Sequence, residues 1–348
     1  MLEEYARSRA EFERVQKSNP PAGVQSKITQ YLNAIRVREG RYKSTATARF
    51  FLGFGSDDNA NQSVDDSTVA ITNGLFSGLN LALPQSSQAQ ESSFADMGFN
   101  LNMNFPLTTR WSAFAQSGLN TTQYSDDPAS DYSNTNMSLA VGAKQRFGKN
   151  QLTYSLSNQA YLLQEDHLRN LGVFSVNYER EVSTRQRFRV YGLLTKTDYA
   201  DPAASALESD QTILGGSYSQ QYRVKFAPLW TVGVNYGTES AQEDNNLTAQ
   251  SRFDRDFYGL STSVFLNFNA RNGLLAGLSW QDSSYDTADP LFGVTQDSTM
   301  TQLRLDYNYL ISRGWKFTGY VTQTGNSSDH PLRDYDRAVY GVRLTYEH

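Results

Sequence analysis

From Thr45 to the C-terminus the sequence alternates between apolar and polar residues with a period of two, in runs of about 10 to 15 residues. In Gln302 to Tyr309, Leu303, Leu305, Tyr307 and Tyr309 share one face, while Gln302, Arg304, Asp306 and Asn308 share the other. Ala338, Tyr340, Val342, Leu344 and Tyr346 oppose Gly341, Arg343 and Thr345 in the same way, and Phe99, Leu101, Met103 and Phe105 oppose Asn100, Asn102 and Asn104. Successive side chains of a strand point to opposite sides of its sheet, so each run specifies a sheet with one apolar and one polar face. Soluble sandwiches and propellers show this alternation too. Strand length separates the cases: soluble strands centre on about 5 or 6 residues, whereas a tilted strand crossing a membrane needs about 9–11.

The connections sharpen the reading. Short, often basic turns at Pro106 to Arg110, Gly148-Lys149-Asn150, Ser183 to Gln186, Ala270 to Gly273 and Ser312-Arg313-Gly314 alternate with long polar segments. The long segments are Ser125 to Ser133, Tyr199 to Asp210, Glu239 to Arg252, Ser283 to Asp297 and Gly325 to Asp334. Short turns on one side and long loops on the other are the outer-membrane barrel pattern. Trp111 and Trp315 adjoin short turns, where an aromatic girdle lies in such barrels. The expected fold is all-β, a transmembrane antiparallel up-and-down barrel of about 14 strands behind a short N-terminal α-helical hairpin. Strand starts are expected near Thr45, Phe94, Arg110, Asn134, Gln151, Leu171, Arg187, Thr212, Leu229, Phe257, Leu274, Thr299, Gly314 and Arg337. An even count puts the helices and the C-terminus on the periplasmic side and the long loops outside the cell. Asp57 to Ser92 reads as strand ends or as a loop folding into the lumen.

Composition excludes the competing membrane class. Mean hydropathy is -0.57, and no run of about 18 apolar residues exists, so a helical membrane protein is ruled out. A barrel is not ruled out, because alternation averages away in any hydropathy window. Aromatics are 13%, with 21 Tyr and 19 Phe, in keeping with side chains that span a lipid–water boundary. The chain has no cysteine, which suits an oxidising compartment. A net charge of -5 over 348 residues argues against nucleic-acid partners. The start, Met1-Leu2-Glu3-Glu4-Tyr5, lacks the basic and apolar regions of a signal peptide. The chain therefore reads as a mature or trimmed form.

Residues 1-42 follow a different rule from 43-348. Phe12 and Val15, then Ile28, Tyr31, Leu32 and Ile35, recur at helical spacing among charged residues. Asn19-Pro20-Pro21 breaks the stretch, since proline ends one helix and tolerates the start of the next. This gives a helical hairpin too small to bury its own apolar face, expected to pack on further helices or on the barrel mouth.

Enzymatic chemistry has little support. The histidines are His167, His330 and His348, in expected loops or at the end, with no motif around them. Asp57-Asp58-Asn59-Ala60-Asn61 offers oxygen ligands but lacks the spacing and closing glutamate of a calcium loop. It reads as a solvated or lumenal turn, and no catalytic residue, metal or cofactor is expected. The informative charges are those on polar faces: Arg49, Lys144, Arg146, Glu179, Arg189, Arg223, Arg304, Asp306, Arg343 and Glu347. They read either as a lining that selects a solute or as a mutually paired network that stiffens the wall. Tyr161, Tyr191 and Tyr320 fall on expected inner faces as well.

Two stretches carry a family resemblance. Gly341-Val342-Arg343-Leu344-Thr345-Tyr346 looks like the C-terminal assembly signal of outer-membrane barrels, with Gly341, Leu344 and Tyr346 at the key positions, although Glu347-His348 follow the aromatic residue. The other is the N-terminal junction, where Phe12-Glu13-Arg14-Val15, Asn19-Pro20-Pro21 and Tyr31-Leu32-Asn33-Ala34-Ile35 lead into Ala48 to Gly55 and then Asp57-Asp58-Asn59-Ala60-Asn61. It resembles the join between tetratricopeptide-type helices and barrel in the surface lipoprotein assembly modifier family. The resemblance implies a translocator that moves proteins, surface lipoproteins or secreted ligand-capturing proteins, across the outer membrane. Its partners would be outer-membrane lipids, the barrel assembly machinery and a protein cargo. The alternative is an exopolysaccharide-export or small-solute porin.

Overall fold

In the computed structural model the chain closes into a fourteen-stranded antiparallel up-and-down barrel. The structure describes residues 2–18, 20, 43–71, 78–243 and 245–348, together with positions 24, 25, 27, 28, 31, 32, 34 and 35. Barrel strand β1 (Thr45–Asp57) is followed by a small hairpin of β2 (Thr68–Ala70) and β3 (Asn80–Ala82). The wall continues with β4 (Ser92–Pro106), β5 (Trp111–Tyr124), β6 (Asn134–Phe147), β7 (Asn150–Leu163), β8 (Asp166–Ser183) and β9 (Gln186–Tyr199). It ends with β10 (Ser209–Gln221), β11 (Leu229–Ala241), β12 (Arg255–Asn267), β13 (Asn272–Ala288), β14 (Thr295–Ser312), β15 (Trp315–Ser328) and β16 (Tyr335–Glu347). Each strand pairs with its chain neighbours, and β16 returns to pair with β1. The fourteen expected strands are all present, the largest discrepancy being β8, which begins at Asp166 and not near Leu171.

The alternation sorts side chains to the two faces of the wall. Phe50, Leu52 and Phe54 of β1, Leu139 and Val141 of β6, Val234 of β11, Leu260 of β12 and Leu278 of β13 stand exposed on the outer face. Soluble proteins rarely expose contiguous apolar patches of more than a few hundred Å², so this outer wall is built for contact with hydrocarbon. Trp111 and Trp315 open β5 and β15 at the short-turn end, and Trp315 packs on Tyr346 with ring centroids 4.9 Å apart. Among the described residues no helix is long and apolar enough to cross a membrane. The crossing is made by strands.

On the inner face, rings lie over glycines of the neighbouring strand. A side-chain carbon at Gly237 would strike Phe257, one at Gly142 would strike Phe114, and one at Gly215 would strike Tyr191. The glycine supplies a notch that lets a large ring lie flat against the wall and leave the lumen clear.

Two connections differ from the expected short-and-long alternation. Between β7 and β8 only Gln164 and Glu165 intervene, with Gln164 at φ 54° closing a tight turn among the long loops. At the opposite end, residues 222–228 make a wider turn, closed by the Tyr222 N–H donating to the Pro228 carbonyl at 2.9 Å. Arg223 belongs to that turn and not to the inner face of a strand, because the Tyr222 to Ala227 alternation is interrupted by positive φ at Phe226 and Ala227.

Residues 2–17 form the first helix, which ends before Pro20. The described positions between 24 and 35 are also helical, and Phe12 stacks on Tyr31 with centroids 5.2 Å apart. Asn33, the remaining part of the quoted Tyr31 to Ile35 motif, lies outside the described residues, as do 21–23 and 36–42.

The segment after β1 folds as a cap and not as strand ends. β2 and β3 pair antiparallel, and Val64, Val69 and Ile71 bury against Phe292 of the β13–β14 loop. Leu81, Leu83, Val294 and Leu332 pack around them. Tyr132 donates to the Ser86 carbonyl (3.1 Å) and Tyr335 to the Gln62 amide oxygen (3.2 Å), so the β5–β6 loop and the start of β16 hold the cap from either side of β1.

Candidate functional site: the inner wall and its two ends

The inward positions carry serine, threonine, asparagine and glutamine over most of the wall, with charges in three groups there and a further set on the opposite wall. The first joins β14, β15, β16, β1 and β4, from the short-turn end to the middle of the wall. Arg49 of β1 pairs with Glu347 of β16 at 2.8 Å, and Arg304 grips Asp306 two residues along β14 at 2.9 Å. Arg343 pairs with Asp96 of β4 while its guanidinium lies over the Phe51 ring (4.4 Å) and the Tyr320 ring (5.5 Å). Two rings and one carboxylate thus hold a charge whose Nε has no hydrogen-bond partner among the described residues.

A second group sits at the long-loop end of the same wall. Asp57 is fully buried and accepts from Arg337 Nε (2.9 Å) and Nη2 (2.5 Å), from the Tyr124 hydroxyl (2.8 Å) and from the Asn59 N–H (3.2 Å). Asn59 in turn donates to the carbonyls of Ser63 and Asp336. The Asp57 to Asn61 stretch, whose oxygens offered a possible cation loop, therefore serves as the anchor between wall and cap.

The third group lies on β11 to β13 at the long-loop end. Arg255 donates to Glu239 at 2.7 Å and to the Tyr285 hydroxyl at 3.1 Å, and the Ser209 hydroxyl donates to the other Glu239 oxygen. The short helix Leu247–Phe253 packs above it, capped by Asn246, whose side chain accepts from the N–H groups of Thr248 and Ala249. Sequence reading assigned Glu239 to a loop and passed over Arg255, because the strands there extend two or three residues beyond the apolar alternation.

On the opposite wall Arg189 of β9 pairs with Glu179 of β8 at 3.3 Å, and Arg146 donates to Gln151 at 3.0 Å. Lys144 places its ammonium 4.7 Å from the centre of the Phe114 ring. The arginines at 49, 189 and 304 keep about half of their side-chain surface exposed, so the lumen beside them is accessible to water. Tyr161, Tyr191 and Tyr320 do not come together. Tyr191 fills the Gly215 notch, Tyr320 lies against Gly341 and Arg343, and Tyr161 lies beside Arg169. Gly341 and Leu344 lie on β16 with Tyr346, which packs at the short-turn end against Trp315. Lys316, Asp96 and the Asp57–Arg337 pair were missed, although continuing the alternation past Trp315 and back from Asn100 would have placed Lys316 and Asp96 inward.

The histidines differ in setting. His167 is exposed at the start of β8, not in a loop, and its Nε2 lies 3.2 Å from the Asn170 side-chain oxygen. His330 is buried beneath the cap, with Phe292 edge-on at 4.8 Å, Asp289 3.6 Å from Nε2, and Nδ1 accepting the Leu332 N–H at 3.2 Å. Burial pushes its pKa below the ordinary value of about 6.5, with Arg333 acting in the same direction and Asp289 against it. A histidine held neutral in the folded cap is protonated first where the cap is open. Cap stability is therefore complete above about pH 6.5 and falls as pH drops through the folded-state value. Amide protection factors at Val69 and Ile71, which correct exchange for its base-catalysed intrinsic rate, are expected to be lower at pH 5.5 than at pH 7.5. In His330→Gln much of that difference should disappear; an undiminished difference would assign it to other groups.

No family model and no curated protein sequence matches this chain. Among solved structures it is similar to a FadL homologue of Pseudomonas aeruginosa, with TM-score 0.47, 7% identity, and 88% of this chain and 91% of that one covered. It is also similar to the outer membrane channel DcaP of Acinetobacter baumannii, with TM-score 0.48, 8% identity, and 88% and 97% covered. Outer-membrane-expressed OmpT of Vibrio cholerae aligns with TM-score 0.47, 8% identity, and 88% and 98% covered.

Proposed function

We propose that this barrel is a transport conduit in a bacterial outer membrane, with its helices and C-terminus in the periplasm, its long loops outside, and a protein as its cargo. The observation that carries the reading is the pairing of a water-accessible polar lumen with a folded cap formed by the described residues of 58–71 and 78–91 at the long-loop end. A capped end suits a gated passage that opens for its cargo. The exposed apolar outer wall supports membrane insertion, and the N-terminal junction supports a translocator that passes surface lipoproteins or secreted ligand-capturing proteins. The barrel assembly machinery and outer-membrane lipids are the partners that such a protein requires. The charged pairs serve chiefly to hold the wall, and no residue is assigned a catalytic role.

A polysaccharide or small-solute porin is the second reading, supported by the hydroxyl- and amide-rich inner face. Its weak point is that the three inward tyrosines are spread around the wall and two of them are seated against glycines, so no continuous stacking track exists among the described residues. Gene deletion followed by comparison of the surface proteome separates the two. Loss of a defined protein from the surface is the expected outcome. A surface left unchanged, with uptake or export of a sugar lost, would replace the translocator by the porin.

A further inference from the structure

Four aliphatic side chains adjoin one another on the inner face of β8, β9 and β10. Phe174, Leu194 and Leu214 stand exposed on the outer wall, so the residues just before them, Val173, Leu193 and Ile213, point into the lumen. Leu171 joins them from two positions earlier on β8. Leu193 is directly opposite Ile213, and it lies diagonal to Val173, whose own ladder partner is Thr195. All four are half-buried, so each leaves apolar surface open to the lumen.

Arg169 heads this stripe, two residues before Leu171 on the same face of β8. It is exposed, and its ladder partners on the two sides are Tyr161 and Tyr199. The guanidinium lies 5.3 Å from the centre of the Tyr161 ring. Among the described residues no carboxylate pairs with it. Glu208, which accepts the Tyr199 N–H at 3.1 Å, makes no ion pair with it either. From Arg169 the stripe runs roughly 13 Å along β8 and about 10 Å across to β10.

We propose that the stripe is a lumenal binding site for an anionic amphiphile, whose carboxylate or phosphate head is held by Arg169 and whose acyl chain lies over Leu171, Val173, Leu193 and Ile213. Aliphatic surface facing an aqueous space gains free energy when an acyl chain covers it. A guanidinium matches the two oxygens of a carboxylate or phosphate with parallel hydrogen bonds. The tyrosine beside it restrains its plane without neutralising its charge. An apolar lining with one placed charge is the usual composition of a small-molecule site. The same lining offers a sugar no hydroxyl partners along its length, and Arg169 repels a cationic head. The site needs only a lumen that solutes enter, so it stands whichever cargo the barrel carries.

The test uses the absence of cysteine from the chain. Thr195→Cys places a single thiol on the inner face between Val173 and Gln211, and acrylodan attached there reports the polarity of the stripe. The labelled full chain in phosphatidylcholine nanodiscs is titrated with dodecanoate, dodecyl phosphate and dodecyltrimethylammonium. A saturable blue shift is expected with one or both anions, the tighter of them naming the head group, and several-fold weaker binding with the cation. Arg169→Gln in the labelled chain should bring the anions down to the level of the cation. Leu193→Ser/Ile213→Ser should abolish saturable binding, whereas Leu193→Met/Ile213→Leu, which keeps the apolar surface, should retain it. No saturable shift with either anion overturns the site, as does equal binding of the cation or undiminished binding in Arg169→Gln. Loss in the Met/Leu variant as well would assign the serine effect to disturbance of the wall and overturn the acyl assignment. A dye already blue-shifted before any addition and unmoved by all three probes would mean that the chain's own residues fill the stripe, which also overturns it.

Discussion

Leu278→Arg is expected to lower the unfolding free energy of the lipid-embedded barrel by about 2–4 kcal/mol. Leu278 is exposed on the outer face of β13, and across its ladders stand Thr262 and Leu303, near the middle of their own strands. A guanidinium there must enter hydrocarbon or draw water and headgroups toward it. The neighbouring Ser279→Arg places the same charge one residue along on the inner face, where water reaches it, and is expected to change stability by no more than about 0.5 kcal/mol. Urea titration of both variants refolded into lipid vesicles, followed by tryptophan fluorescence, measures the difference. Equal costs at the two positions would mean that the outer wall does not face lipid.

The second large effect is expected at the long-loop end of the closing strands. Arg337→Ala leaves Asp57 fully buried with the Tyr124 hydroxyl and one backbone N–H as its described donors. Removing one member of a buried ion pair costs about 3–5 kcal/mol, because the remaining charge keeps its desolvation penalty and loses its compensation. The double variant Asp57→Asn/Arg337→Gln removes both charges, so it is expected to be more stable than Arg337→Ala despite carrying one more substitution. The same urea titration supplies the comparison. A double variant less stable than Arg337→Ala would show that packing around the side chains, not the paired charge, sets the cost.

The wall was legible because its two environments differ so strongly. Leu303, Leu305 and Tyr307 against Arg304 and Asp306 leaves no second register available, since a shift by one residue would put the ion pair in lipid. The ends of the wall were less legible for the same reason. Above the hydrocarbon both faces are wet, so β8 could begin at Asp166 and β12 at Arg255 without any apolar residue announcing it. Arg223 shows the opposite failure, where Val224 and Phe226 continue the alternation by chance through a turn. The cap was not legible at all. Val64, Val69 and Ile71 find their partner in Phe292, more than two hundred residues away, and nothing near either segment marks the pairing. Charge on the inner face could be read one residue at a time, but partnership could not. Arg343 meets Asp96 across β1, and only the closed ring brings β4 and β16 to either side of that strand.

That ring closure has a consequence for when the protein becomes complete. Arg49 and Glu347 are separated by 298 positions, Asp57 and Arg337 by 280, and Asp96 and Arg343 by 247. Until β16 has been made, the leading strand is an open edge carrying an arginine and an aspartate with no opposite charge to meet, and contacts so distant in sequence form late. The thirteen residues of β16 then satisfy all three pairs together. A chain cut short before them would retain thirteen of its fourteen barrel strands and still present a sticky margin to any other strand it met. Quality control for this barrel is thus written in β16, where the wall strand made last is also the one that seals the first.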